Sequence, residues 1–219
     1  MFVARRMKKN VITAALSASL FEAQRMMREH TIRQIPVISD DGTLLGIVSD
    51  RDIRAAVLPA GLVPGFTAGE AEKFMKSTPV ERVMTRKVVT ATLTDTLEDA
   101  IVLLRDFRVN ALPVVDGAGK VAGIITRTDV LEAFIDALGV GEISSRLEVV
   151  VPDRPGMLAQ LAAIIGSFHV NITSVVSIRH EGGKRADFLR VATLNVGPIR
   201  KAIEEAGFEI LDPSKFLLP

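Results

Sequence analysis

Slid along itself by 77 residues, the chain lays Met7–Val57 on Met84–Phe134 without a gap, and 15 of the 51 aligned pairs are identical. Ordinary residue frequencies would give about three. Both stretches must therefore adopt one local design, and any architecture that treats them differently is excluded. In each copy a capping box, Ser19-x-x-Glu22 or Thr96-x-x-Asp99, predicts a helix of about ten residues through Ala23–Glu29 or Ala100–Asp106. Two strands follow, Gln34–Ile38 with Leu44–Val48, or Ala111–Val115 with Val121–Ile125, each pair joined by an Asp/Gly turn. The second strand runs into a helix opened by Ser49-x-x-Asp52 or Thr126-x-x-Asp129.

The copies occupy residues 1–57 and 84–138, and 58–83 reads as a linker: Pro59, Gly61, Pro64, Gly65 and Gly69 punctuate its first part. An amphipathic turn at Phe74 and Met75 within it packs either on the body of the protein or on a partner. After Leu138-Gly139-Val140-Gly141 a third unit, 144–212, begins, with a strand Arg146–Val151, a helix Met157–Phe168 and strands Asn171–Ile178 and Asp187–Leu194. A helix Pro198–Glu205 and a last strand Phe208–Leu211 complete it. Asp153 is placed to cap the first of these helices, with Pro155 at an early helical position. The order βαββαβ is the ferredoxin-like split unit, so the whole chain is α/β (α+β).

Composition removes several function classes. With Cys 0, disulfide scaffolds, thiolate metal sites and thiol nucleophiles are excluded, and an oxidising compartment is not indicated. With Trp 0 and Tyr 0, the aromatic platforms favoured by single-strand nucleic-acid binders are weakened. Lys+Arg 27 against Asp+Glu 26 leaves a net charge of +1, too little field to draw the whole molecule to nucleic acid or an anionic membrane. The longest apolar runs fall far short of the roughly 18 residues of a membrane span, so a cytoplasmic protein is expected. His30, His169 and His180 are scattered without metal-ligand spacing, Gly117-Ala118-Gly119-Lys120 lacks the Ser/Thr of a phosphate loop, and no nucleophile elbow is present. The reading is a non-enzyme without a metal.

The chemistry sits in the twice-repeated Gly-h-h-(Ser/Thr)-x-x-Asp, Gly46 to Asp52 and Gly123 to Asp129, at a strand-to-helix junction. One account is a capping box alone. The other is that the helix start meets a phosphate while Ser49 or Thr126 donates to it and Asp52 or Asp129 accepts from ribose hydroxyls. Arg51, Arg54 and Arg127 lie at the same helix starts, and Arg33 lies just before the Ile35-Pro36 step. Ile35 and Leu112, each before a proline (Pro36, Pro113), would cover an adenine face.

Both copies resemble cystathionine-β-synthase (CBS) domains, on the Ile-Pro-Val or Leu-Pro-Val step, the Asp/Gly turn and the Gly-h-h-(Ser/Thr)-x-x-Asp ending. The tandem pair resembles a Bateman module, which in that family binds adenosine nucleotides in clefts between the repeats. The resemblance implies ribose partners at Asp52 and Asp129, ribose or phosphate partners at Ser49 and Thr126, and a base held by backbone around Thr13 and Thr90 with Ile35 and Leu112. Arg33 and Arg51 in the first copy face Asn110 and Thr128 in the second, so the two sites differ in phosphate preference.

Leu-Glu-Val-Val-Val-Pro-Asp-Arg-Pro-Gly-Met-Leu, followed by His169-Val-Asn171-Ile172, resembles the opening of an ACT domain. That resemblance implies a small effector, often an amino acid, held near Asp153, by amides of Gly156, Met157 and Leu158, and by the Asn171-Ile172 step, or else pairing of ACT domains alone. Two CBS repeats followed by one ACT domain resemble the acetoin-utilisation protein B family. The expectation is a regulatory homodimer that binds an adenine nucleotide and a small metabolite, with the apolar tail Phe216-Leu217-Leu218 joining the pairing surface. The alternative is a ligand-free dimerisation adaptor that regulates a partner enzyme.

Overall fold

The structure, a computed structural model, describes residues 1–61 and 67–211 and forms two compact units, Met1–Leu131 and Glu132–Pro219. Pro64, Gly65, Asp212 and the tail Phe216-Leu217-Leu218 lie outside the described residues. The first copy comprises β1 (Ala14–Ala15), α1 (Leu20–Glu29), β2 (Gln34–Ile38), β3 (Leu44–Ser49) and α2 (Asp50–Gly61). A helix α3 (Ala68–Ser77) follows it. The second copy comprises β4 (Ala91–Thr92), α4 (Leu97–Asp106), β5 (Ala111–Val115), β6 (Val121–Thr126) and α5 (Arg127–Ala137).

Each copy builds a three-stranded sheet with β2 or β5 in the middle, parallel to the short β1 or β4 and antiparallel to β3 or β6. The short strands escape sequence reading because two residues carry no periodicity. The capping boxes form as expected: Glu22 N–H donates to Ser19 Oγ at 3.2 Å while the Glu22 carboxylate accepts from the Ser19 amide at 2.8 Å. Leu20, Ala23 and Met27, spaced along one face of α1, are buried against Ile35, Val37 and Val48.

The two copies exchange their leading segments. The Val3 amide donates to the Asp95 carbonyl and the Leu97 amide to the Met1 carbonyl, both at 2.8 Å. The same bonds recur 77 residues on, from Val80 to Ala18 at 2.8 Å and from Leu20 to Thr78 at 2.9 Å. Lys8 and Ile124 bond each other in both directions, as do Thr85 and Ile47. The hairpin tips also pair reciprocally, Leu44 to Gly119 and Val121 to Gly42, each at 3.1 Å. Residues Met1–Lys8, read with the first copy, thus complete the second, and Thr78–Thr85 completes the first; Val80 and Met84 belong to the first copy's core.

The insert is less of an excursion than its glycines and prolines suggest. Helix α2 continues to Gly61 past Pro59, and α3 is capped by Thr67 and buries Met75 against the first core with Phe74 beside it. In the second copy the groove between α4 and α5 holds a depression of about 330 Å³ lined by Ile101, Leu104 and Val130.

In the first hairpin turn Asp41 accepts from the hydroxyls of Ser39 and Thr43, and these bonds, Ser39 first, hold its carboxyl down at about 2 rather than the ordinary 3.8. A carboxyl whose pKa falls on folding adds stability above its unfolded value. That stability is lost as pH drops from about 4 through about 2. Carbon-13 titration of Asp41 should give a midpoint near 2; a midpoint at the ordinary carboxylate value would contradict the turn geometry.

The C-terminal unit contains β7 (Ser145–Pro152), α6 (Met157–Gly166), β8 (Ile172–His180), β9 (Lys184–Val191), α7 (Gly197–Glu205) and β10 (Glu209–Ile210). Its antiparallel sheet has the order β10-β7-β9-β8, the βαββαβ arrangement expected. Gly182 and Gly183, both at φ 68°, make the tight β8–β9 hairpin that a residue with a Cβ adopts only under strain. Leu147, Val149 and Val151 from β7 pack with Leu161 and Ile165 of α6 and Ile199 and Ile203 of α7. Among the described residues no helix is long and apolar enough to cross a membrane.

Candidate functional site

The β-registers gather most of the first copy's expected site residues at one end of its sheet. Gln34 lies opposite Ser49, Pro36 opposite Ile47, and Ala14 beside Val37, so Thr13 adjoins Pro36. The second copy places Thr90, Pro113, Thr126 and Asp129 in the same way.

At each junction one carboxylate oxygen closes the capping box. Asp52 Oδ2 accepts from the Ser49 amide at 2.8 Å and from Ser49 Oγ at 2.6 Å. Asp129 Oδ2 accepts from the Thr126 amide at 2.7 Å and Thr126 Oγ1 at 2.6 Å. The capping account of the motif is therefore correct as far as it goes, but it uses only one oxygen of each carboxylate. The other expectation, a phosphate on the helix start, meets an obstacle. Two of the first three amides of α2 are spent, Asp50 N–H on the Arg33 carbonyl at 3.0 Å and Asp52 N–H on Ser49 Oγ at 3.2 Å, and both residues add negative charge there.

The copies then diverge. In the first, Arg33 and Arg51 are exposed and their guanidinium groups have no ion-pair or hydrogen-bond partner among the described residues; Arg54 is held by Asp50 at 2.7 Å. Gln34 Oε1 is buried without a hydrogen bond among the described residues, on the sheet face it shares with Ser49. In the second, Asn110 and Thr128 replace the two arginines, Ala111 replaces Gln34, and Arg127 Nη2 donates to the Leu104 carbonyl at 3.1 Å, which commits it to the end of α4. Asp129 is 6% exposed and its Oδ1 lies 3.5 Å from Lys8 Nζ, brought by the exchanged leading segment. The residue 77 on from Lys8 is Thr85, so Asp52 receives no such cation.

Two expectations need correction. Ile35 and Leu112 have 0% exposure and face their helices from the central strand, so neither side chain presents a surface to a base. In the C-terminal unit Asp153 does not cap α6. Gly156 is the N-cap, at φ 92°, no side chain closes the turn, and Asp153 lies 3.9 Å from Arg185 instead.

Gly156, Met157 and Leu158 line a cavity of about 250 Å³ with Ser177, Arg185 and Asp187. Asn171 and Ile172 are not brought to it: β8 begins at Ile172 and reaches Ser177 five residues later, roughly 17 Å along the strand. Ser177, Arg185 and Asp187 were not singled out from the sequence, although a signal exists. On the inward face of β9 the alternation that gives Leu189 and Val191 continues to Asp187 and Arg185, two charges where the pattern calls for apolar residues.

Comparison with known proteins places this geometry. A family model described as CBS domain matches residues 3–59 and 80–136, and one described as ACT domain matches residues 145–208. The protein MJ1426 of Methanocaldococcus jannaschii is 36% identical over 149 residues, 59% of this chain and 88% of that protein. The CBS domain pair of protein MJ0100, solved in complex with 5'-methylthioadenosine and S-adenosyl-L-methionine, has a TM-score of 0.51 at 27% identity, covering 61% of this chain and 99% of that one. CBSX2 of Arabidopsis thaliana, solved in complex with AMP, has a TM-score of 0.51 at 31% identity, covering 62% and 96%.

Proposed function

The chain belongs to the CBS domain family and carries an ACT domain behind its CBS pair, a Bateman module, and on that premise we propose that it is a regulatory protein which senses an adenosine nucleotide. The observation that carries this reading is at the first junction. Asp52 keeps Oδ1 outside its capping box beside Ser49, with Arg33 and Arg51 uncommitted at the same end of the sheet. A carboxylate oxygen accepts from ribose hydroxyls, and unpaired guanidinium groups take phosphate oxygens in two-point contacts. Because two of the first three amides of α2 are bonded and Asp50 and Asp52 put negative charge there, the arginines rather than the helix start supply most of the phosphate partners. The solved relatives that hold AMP and adenosyl ligands support an adenosine moiety.

The second junction, with Thr126, Asp129 and Lys8 but no free arginine, is the weaker phosphate site. Thr13 and Thr90 supply backbone at the base end, with Pro36 and Pro113. The ACT domain binds a small metabolite through Gly156, Met157 and Leu158 or pairs with a second copy. The chain works as a cytoplasmic homodimer, without catalysis of its own, acting on a partner enzyme. The order of its domains, CBS-CBS-ACT, suggests a role in acetoin or other central carbon metabolism.

One spectrum tests the main claim. With Trp 0 and Tyr 0 the protein is nearly transparent at 280 nm, so absorbance at 260 nm in nuclease-treated protein reports bound nucleotide. Stripped protein titrated with AMP, ADP and ATP in a calorimeter should give saturable heat. Absence of both heat and a thermal shift with all three nucleotides would favour the ligand-free adaptor.

A further inference from the structure

Among the described residues Gln34 Oε1 is the one buried side-chain oxygen or nitrogen without a hydrogen bond. A buried acceptor left unpaired costs stability, so its presence calls for a reason. The fold does not supply one. The second copy places Ala111 at this position, in the same register opposite Thr126, and builds the same hairpin without a polar side chain.

The residues around Gln34 explain why the oxygen stays open. Along β2, Ile35 and Val37 turn into the core with α1, so Gln34 and Pro36 alternate onto the other face of the sheet. Gln34 stands directly opposite Ser49, whose side chain shares that face. The Ser49 hydroxyl gives its proton to Asp52 Oδ2 at 2.6 Å, and the Ser49 amide donates to the same oxygen at 2.8 Å. Both donors of the facing residue are thus committed, and neither Arg33 nor Arg51 serves the carboxamide.

Gln34 therefore adds an acceptor about 7 Å along β2 from Pro36 at the base end, beside the box in which Asp52 keeps Oδ1 open. Whatever meets it must donate. Ionised phosphate oxygens only accept, and the base lies at the Thr13 end. The donors that a nucleotide brings to the Ser49 and Asp52 end are its two ribose hydroxyls.

We infer that Gln34 is a specificity-determining residue of the first junction: Oε1 accepts from one ribose hydroxyl and Asp52 Oδ1 from the other, so the site takes ribonucleotides and rejects deoxyribonucleotides. The second junction has Ala111 in place of Gln34, and its Asp129 Oδ1 lies 3.5 Å from Lys8 Nζ, so it does not draw this distinction. The inference rests on the reading of the CBS pair as an adenosine nucleotide sensor.

A cycle between side chain and ligand tests it. Calorimetry on the full chain carrying Asp129→Ala, in which the first junction dominates the heat, compares AMP with 2′-deoxy-AMP, 3′-deoxy-AMP and adenosine. Each deoxy form binds about tenfold more weakly than AMP. Gln34→Met keeps the length of the side chain and removes the acceptor. It weakens AMP about tenfold, and one of the two deoxy penalties disappears while the other, read by Asp52, remains. Adenosine is weakened by the same factor as AMP. Without ligand Gln34→Met melts no lower than its parent, because an unpaired buried acceptor has been removed. If AMP binds but neither deoxy form is penalised, or both penalties persist in Gln34→Met, the Gln34 assignment falls while the adenosine reading stands. If Gln34→Met weakens AMP but not adenosine, the carboxamide serves the phosphate, and if the variant melts lower with AMP affinity unchanged, it is structural; the assignment falls in either case. If neither AMP nor adenosine binds the wild-type chain, the adenosine reading falls first and takes the inference with it.

Discussion

Gly123→Ala lowers the stability of the CBS pair by about 1–3 kcal/mol, the usual cost of forcing extra volume into a packed contact. At roughly 2–4 °C per kcal/mol for a chain of this size, the shift is readable by scanning calorimetry. A Cβ at Gly123 would stand 2.4 Å from Met7 Sδ, 2.9 Å from Met7 Cγ and 3.1 Å from the Lys8 carbonyl oxygen. The methionine end can swing aside, but the Lys8 backbone is held on Ile124 by two hydrogen bonds of 2.9 and 3.0 Å. The leading segment must therefore shift as a whole. Gly46→Ala meets the same obstacle from the exchanged segment of the other copy, with Met84 Sδ at 2.6 Å and the Thr85 oxygen at 3.0 Å. Gly117→Ala, with nothing within 4 Å of its Cβ, is the control. If all three variants melt alike, the exchange of leading segments is wrong.

The second large effect is on ligand affinity. Asp52→Ala removes the carboxylate that keeps Oδ1 free of the capping box beside Ser49, and a hydrogen bond to a charged group is worth about 1.5–3 kcal/mol. Nucleotide affinity at that site falls by roughly ten- to a hundredfold. The same change removes one side of the capping box, so calorimetry is run well below the lowered melting temperature. Asp129→Ala leaves this affinity within about twofold, because Asp129 serves the second junction and lies against Lys8 at 3.5 Å. Equal losses from the two variants would mean that the junctions are equivalent and that Arg33 and Arg51 do not set the phosphate preference.

How much was legible differs between elements for physical reasons. Helix α1 and its twin α4 were readable to the residue because a capping box is a local device, satisfied within four residues. The hairpin β2–β3 was readable because its turn chemistry is local. The sequence reading puts Pro59 and Gly61 in the linker, whereas α2 runs through Pro59 to Gly61, because the helix opened at Ser49 has no competing local stop signal before them. The expected cap at Asp153 failed because the chain turns through Gly156 at φ 92° and α6 starts only at Met157, which leaves Asp153 three residues short of the N-cap position. The adenine cover expected of Ile35 failed because Ile35 is packed at 0% exposure in the core with Leu20, Ala23 and Met27 of α1, a contact no local motif announces.

The sequence by itself determined the duplication, the junction motif and the identity of the residues at each junction, because identical local codes read alike wherever they fold. It also determined that the copies differ at Arg33 and Arg51. Only the tertiary structure decided which side chains remain available. Register and packing gave Asp129 a lysine from the far end of the chain, bound Arg127 to α4, and left Arg33, Arg51 and Asp187 without a direct countercharge among the described residues. Availability depends on neighbours distant in sequence, and hydrogen bonds and ion pairs form by distance in space. A 77-residue repeat can therefore specify two matching folds while the chain's long-range contacts make two different sites.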